Sequence, residues 1–145
     1  MSVSVMLRDK GQELQTCKKE LPVMDAIRLM NQKKIGALVV VDDLGQVEGI
    51  VTERDVLHIV DNHKGLPAYI TVADIMTSRE RLIIAGKNQS VEEIMETMTE
   101  KRIRHMPVIE EDRLIGIISI GDVVKFELKK VLVENESMKS YISGM

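Results

Sequence analysis

Two short stretches each set a hydroxyl and a carboxylate three positions apart. Thr52-Glu53-Arg54-Asp55 follows an apolar run at 47–51, and Ser119-Ile120-Gly121-Asp122 follows another at 114–118. In each, a hydroxyl is followed three positions later by an aspartate. Short β-branched runs that end on a polar break read as buried strands. Each hydroxyl is therefore expected at the carboxyl end of a strand, with its aspartate in the first turn of a helix. There, unpaired N–H groups and the positive end of the helix dipole can hold an anion or a sugar hydroxyl. The same spacing is that of a capping box, which satisfies the helix's own N–H groups with no ligand at all. Spacing leaves both readings open; the weight added to the ligand reading is that the motif occurs twice.

The elements that must position these residues are themselves repeated. Val23, Ala26, Ile27 and Met30 fall on one helical face, as do Val91, Ile94, Met95 and Met98 in the second half. After each predicted helix comes a basic shoulder (Lys33-Lys34-Ile35; Lys101-Arg102-Ile103), then an apolar strand (37–41; 106–109). An acidic turn follows (42–45; 110–112, one residue shorter), then the motif strand and a second helix. Short leading strands are predicted over 14–17 and 82–85. Pro22 is placed at the first position of its helix, and Ser90 with Glu93 forms a capping box opening the counterpart. The stretch 61–71, with Gly65 and Pro67, reads as a connecting loop. The last helix runs from Val123 past Lys130 toward Tyr141, with Val124, Leu128, Val131 and Leu132 at helical spacing. That is longer than the unit requires, so it covers the module's own surface or packs on a partner chain.

A chain of 145 residues with 44% hydrophobic but 2% aromatic residues must build its core from Ile, Val, Leu and its ten Met. A half of about 60 residues buries too little surface to be safely stable alone, so two halves sharing one α/β (α+β) core are expected. The scarcity of aromatics excludes base stacking as the main device. A net charge of −3 argues against nucleic acid or an anionic membrane as partner. The single cysteine, Cys17, excludes an internal disulfide and a cysteine zinc cluster and fits a reducing compartment. No apolar run approaches the ~18 residues of a spanning helix, and residues 1–10 lack the apolar core of a signal peptide, so a cytoplasmic location is expected. His58, His63 and His105 show no metal-ligand spacing, and no phosphate loop or nucleophile elbow is present. His58 is expected on an exposed helix, His63 in a loop, and His105 beside Arg104 at the start of a strand. The expectation is a protein with no catalytic activity of its own.

Taken in order, GIVTERDV (49–56), GIISIGDV (116–123), KKIGALVVVD (33–42), KRIRHMPVIE (101–110) and VADIMT (72–77) resemble a tandem pair of CBS domains, a Bateman module. The resemblance covers the chain from about Met6 to about Lys130. One departure is Val39, where the pattern prefers the proline that the second copy has at Pro107. The resemblance implies two pseudo-symmetric β-α-β-β-α repeats, at 6–62 and 72–130, with a linker at 63–71 and a helical tail at 131–145. It implies a stand-alone regulatory module that binds adenine nucleotides (AMP, ADP, ATP or NAD) in clefts between the repeats, associates as a homodimer and acts on an effector protein. The alternative is a dimerisation or docking module for an enzyme or transporter, with vestigial clefts.

The family's geometry also implies that the clefts are crossed. One would join Thr52, Glu53, Arg54 and Asp55 to Arg104, His105 and Met106; the other would join Ser119, Ile120, Gly121 and Asp122 to Ile35, Gly36 and Ala37. In these roles Asp55 or Asp122 accepts ribose hydroxyls, and Thr52 or Ser119 bonds ribose or phosphate. Arg54, Arg104 and His105 make the first cleft the better phosphate site. The second takes an adenosine moiety with fewer phosphate contacts, or stays empty.

Overall fold

The computed structural model describes residues 2–10 and 14–143. Its elements run α1 (Val3–Lys10), β1 (Thr16–Cys17), α2 (Val23–Lys33), β2 (Ala37–Val41), β3 (Val47–Thr52), α3 (Glu53–His63) and α4 (Val72–Ile75). Then come β4 (Thr77–Ser78), a 3₁₀ turn (Arg79–Arg81), α5 (Val91–Lys101), β5 (His105–Glu110), β6 (Arg113–Ser119) and α6 (Ile120–Ser143). One sheet has the order β1-β2-β3-β4; the other pairs β5 with β6. This is the mixed α/β fold of two repeated units that the sequence predicts, and both hairpins form in register, Ala37 opposite Thr52 and His105 opposite Ser119.

Local chemistry explains how each hairpin is launched. The basic shoulders are helix C-caps: Lys34 and Arg102 both adopt left-handed backbone at φ 56 and turn the chain from helix toward strand. Cations there also suit the negative end of the helix dipole. The first acidic turn is tied by the Asp42 carboxylate, which accepts from the N–H groups of Leu44 (2.9 Å) and Gln46 (2.8 Å), with Gly45 at φ 81. The shorter second turn uses Glu111 (φ 49) and Asp112 (φ 62) in its place.

Several expectations are adjusted. The second leading strand, predicted over 82–85, is reduced to a bridge between Ala85 and Val108. Pro107 offers its carbonyl to the Ala85 N–H (2.8 Å) but has no N–H to return, whereas Val39 sits in a two-residue parallel pairing with β1. Pro22 caps its helix from one position before it. Only half of the Ser90 box forms: Ser90 accepts from the Glu93 N–H at 3.1 Å, while the Glu93 carboxylate takes a bond from Gln89 at 3.4 Å. His63 ends α3 rather than lying in a loop, and 72–75 is a helix whose Thr71 and Asp74 form a capping box. The last helix extends as predicted.

β2 is buried along its whole length. Leu38 and Val40 pack with Ala26, Met30, Val51 and Val72 in the first repeat's own core. Val39 and Val41 turn the other way and, with Val47, meet Leu82, Ile109, Leu114 and Ile117. A strand covered on both faces reads as an unbroken apolar run, as this one does. The third core, around Val91, Ile94, Met98, Met106, Val108 and Ile118, contains an element the sequence pattern does not announce: α1 contributes Val3 and Met6.

α1 docks on the second repeat, and α4 on the first, by the same bonds. Val3 and Ser4 donate to the carbonyls of Gln89 and Lys87 (both 2.9 Å), just as Val72 and Ala73 donate to Leu21 and Lys19 (both 2.9 Å). Each short helix thus precedes one repeat in the chain and closes the core of the other. Met6→Ala should therefore cost about 2–4 kcal/mol, as a core methionine does, in a single urea transition of the whole module; a loss below about 0.5 kcal/mol would show α1 to be an ornament rather than part of the core.

Candidate ligand-binding cleft

Both motif ends form complete caps. Thr52 Oγ1 accepts from the Asp55 N–H (3.4 Å), and Asp55 Oδ2 accepts from the Thr52 N–H (2.8 Å) and hydroxyl (3.2 Å). Ser119 Oγ accepts from the Asp122 N–H (3.1 Å), and Asp122 Oδ2 accepts from the Ser119 N–H (2.9 Å). Beside each cap the start of the hairpin is pinned to the same corner, since Glu53 N–H donates to Gly36 (3.0 Å) and Ile120 N–H to Arg104 (2.8 Å). Capping uses one oxygen of each aspartate in these bonds and leaves the other carboxylate oxygen for something else.

Around Asp55 that something else is a cleft of about 520 Å³. Thr52, Glu53, Arg54 and Asp55 line it from the first repeat, and Arg102, Arg104 and His105 face them from the second. The two repeats touch here directly: Arg54 reaches the carbonyl of Arg102 at 3.5 Å. Gly36 lies between Glu53 and His105, where an added Cβ would collide with the Glu53 carboxylate and come within 3.2 Å of the His105 ring. The absence of a side chain at Gly36 therefore lets the imidazole cross the seam.

The lining includes residues that the sequence pattern does not single out. Arg81 and Thr77 come from the segment after α4, His58 from the second turn of α3, and Ile50, Leu82, Ile83 and Ile103 make an apolar wall. Arg102 is legible as part of a basic shoulder; Arg81 carries no local signal, because only the pairing of β4 with Gly49 and Ile50 brings it to the cleft. Met106 is buried in the core of the second repeat, which leaves only its backbone to a ligand.

Of the other expected grouping, Gly36 also lines the Asp55 cleft. Ile35 and Gly36 line a groove of about 510 Å³ between α2 and α3 together with Glu53, Val56 and Leu57, and Ala37 is buried. Ile120 and Gly121 are exposed at the start of α6. Asp122 is engaged by Lys10, whose ammonium lies 2.6 Å from Oδ2 and also donates to the carbonyl of Ile117 at 2.8 Å.

The electrostatics of the two aspartates diverge accordingly. Burial pushes the Asp55 carboxyl above its ordinary range, and its bonds to Thr52 and the proximity of His58 only partly oppose this. Burial pushes Asp122 the same way, but Lys10 and Ser119 more than offset it and hold the group below the ordinary range. His105 is pushed down chiefly by burial, with Lys10 and Arg104 adding to the effect against Glu53 and Asp122. It stands neutral at pH 7, so the positive charge of the cleft comes from Arg54, Arg81, Arg102 and Arg104 rather than from the histidine.

Comparison with known proteins agrees with this architecture. The CBS domain family matches residues 4–62 and 72–129. The CBS domain-containing protein CBSX3, mitochondrial, of Arabidopsis thaliana is 36% identical over 149 residues, which is 99% of this chain and 72% of that protein. A CBS-domain containing protein of Agrobacterium tumefaciens superposes with a TM-score of 0.82 at 38% identity, covering 88% of this chain and 99% of that one. A CBS domain pair solved with 5-methylthioadenosine and S-adenosyl-L-methionine superposes at 0.78 over 90% of this chain and 98% of that one; at 23% identity that likeness concerns the fold. The protein is a tandem pair of CBS domains and belongs to that family. Among the described residues no helix is long and apolar enough to cross a membrane, and no group of three or more His, Cys, Asp or Glu is placed to hold a metal ion.

The opposed shifts carry opposite pH signatures. Asp122, held low, contributes stability above the ordinary carboxyl range that is lost as the pH falls through its depressed folded value. Asp55, held high, leaves stability fullest below that range and loses it as the pH rises through the elevated folded value. In urea unfolding at pH 7, Asp122→Asn should cost about 1–2 kcal/mol, shrinking below about pH 4, while Asp55→Asn, which keeps a capping oxygen, should be neutral or stabilising. Equal costs for the two variants at pH 7 would contradict this assignment.

Proposed function

We propose that this CBS pair is a non-catalytic regulatory module, and that the cleft at Asp55 binds an adenine nucleotide carrying at least one phosphate: AMP, ADP, ATP or the dinucleotide NAD. The observation that carries the reading is the composition of that cleft. A half-buried carboxylate with raised pKa stands opposite four arginines contributed by both repeats, beside an apolar wall. Ribose hydroxyls donate to Asp55, and Thr52 adds a hydroxyl that donates or accepts. Phosphate oxygens accept charge-assisted bonds from the arginines, of which Arg81, Arg102 and Arg104 belong to the other repeat. The base lies against Ile50, Leu82, Ile83 and Ile103. The choice of adenine rests on the CBS resemblance, and the need for phosphate rests on the arginines. A ligand held this way ties one repeat to the other, which is how its presence is signalled to an effector. The cytoplasm, a reducing compartment, is where we place the protein.

A second reading concerns assembly. Val124, Leu128, Val131, Leu132, Val133 and Met138 are exposed along α6, more apolar surface than one helix ordinarily leaves to water. We propose that it is covered by a second copy in a homodimer. Sedimentation should give the dimer mass, and Leu128→Glu with Leu132→Glu the monomer mass; a native chain that stays monomeric at every concentration would dismiss the reading.

The nucleotide reading is tested by calorimetry. A saturating ligand at 100 times its Kd should add about 2.7 kcal/mol to stability. Arg104→Ala should weaken ADP at least tenfold and adenosine less than twofold, whereas Asp55→Ala should weaken both. The two substitutions should be non-additive, because both groups hold one ligand. Equal loss of ADP and adenosine on Arg104→Ala would show that the arginine does not meet phosphate.

A further inference from the structure

The second half's motif end is built like the first but already holds a cation of this chain. Lys10 is the last residue of α1, and Val3, Met6, Leu7 and Lys10 lie at i, i+3, i+4 and i+7, one face of that helix. Val3 and Met6 are buried in the core of the second repeat, and Leu7 packs so closely over Gly116 that an added Cβ there would sit 2.6 Å from its methyl carbon. With the helix anchored at those positions, the stripe ends with Lys10 at Asp122. The ammonium takes two acceptors, the Asp122 carboxylate at 2.6 Å and the Ile117 carbonyl at 2.8 Å.

The mirrored place in the first repeat is filled differently. There Met76, the counterpart of Leu7, packs over Gly49, and the chain then extends as β4, pairing Thr77 with Ile50. Ile50 is the counterpart of Ile117. Backbone thus covers the first strand edge and leaves Asp55 facing an open cleft, whereas α1 remains helical and sends a side chain to both the edge and the aspartate. The difference between the two motif ends is therefore set by how the chain continues beyond the docked turn of each helix, since Thr52/Asp55 and Ser119/Asp122 themselves are arranged alike.

We propose that Lys10 is the residue that decides which motif end of this CBS pair takes ligand: its ammonium stands against the Asp122 carboxylate, sharing the capping oxygen and neutralising the charge that a ribose would meet, so the module binds one nucleotide per chain, at Asp55. This rests on the ligand class proposed above. A purely structural role for Lys10, sealing the edge of β6 at Ile117, predicts a stability loss on its removal and no new binding site.

The two are separated by titrating the full chain with AMP in a calorimeter. The native chain should bind one AMP, lost on Asp55→Ala. Lys10→Met, which keeps an apolar stem on α1, should bind two, the additional one lost when Asp122→Ala is combined with it. Lys10→Arg should remain at one, because the cation is kept. Lys10→Gln provides the same measurement if the methionine variant unfolds. Two AMP per native chain, or no additional site in either uncharged variant, would overturn the proposal. No binding to the native chain with one Asp122-dependent site in the Lys10 variants would uphold the block by Lys10 at Asp122 and overturn the binding of one nucleotide at Asp55. No binding to any variant would dismiss both.

Discussion

A strand with apolar side chains on both faces needs two covers, and β2 obtains only one of them from its own repeat. Leu38 and Val40 are covered by α2 and its neighbours, while Val39 and Val41 meet Leu82, Ile109, Leu114 and Ile117. The two halves therefore share a layer of aliphatic side chains that neither can bury alone, and a core poor in aromatics makes this layer of Val, Ile and Leu the main bond between them. The bridge between Gln46 and Arg113 joins the hairpins beside it. Because the sheets are held together there, the motif end of β3 comes to lie near the second repeat's shoulder, and a cleft between repeats is the consequence of the packing.

The docking of α1 and α4 crosses the same seam. Each helix belongs by sequence to the approach to one repeat and by contact to the other, with matching backbone bonds on Gln89 and Lys87 and on Leu21 and Lys19. Such an exchange makes the unit of folding the pair. It also sets what stands at each motif end: β4 and the 3₁₀ turn bring Thr77 and Arg81 to the cleft at Asp55, and the end of α1 brings Lys10 to Asp122.

Electrostatics then separate two sites that share one backbone plan. A half-buried carboxylate with no cation bonded to it has its charge disfavoured, and one bonded to an ammonium has it favoured; Asp55 and Asp122 show these two outcomes with the same capping plan. A histidine at the seam is desolvated by both halves and stays neutral, which leaves permanent charge to guanidinium groups that burial cannot discharge.

Features that depend on neighbours along the chain are legible in the residues alone: helix faces of period 3.6, short β-branched strands, hydroxyl and aspartate spaced as caps, basic residues at helix ends, and the repetition of all of these. These features led to the fold and to the grouping of Asp55 with Arg54, since their positions are fixed within one turn of helix. They could not settle whether the hydroxyl and aspartate pairs were caps or ligand groups, because the same bonds serve both. Nor did they reveal the role of α1, whose stripe of Val3, Met6, Leu7 and Lys10 is too short to stand out and acquires meaning only against the distant Gly116 and Asp122. Arg81 entered the cleft and Met106 left it for comparable reasons, one carried in by a two-residue strand pairing and the other turned inward by the alternation of β5. Tertiary structure alone decided which charges meet across the seam, because the partners lie far apart in the chain and are joined by packing that no local pattern encodes.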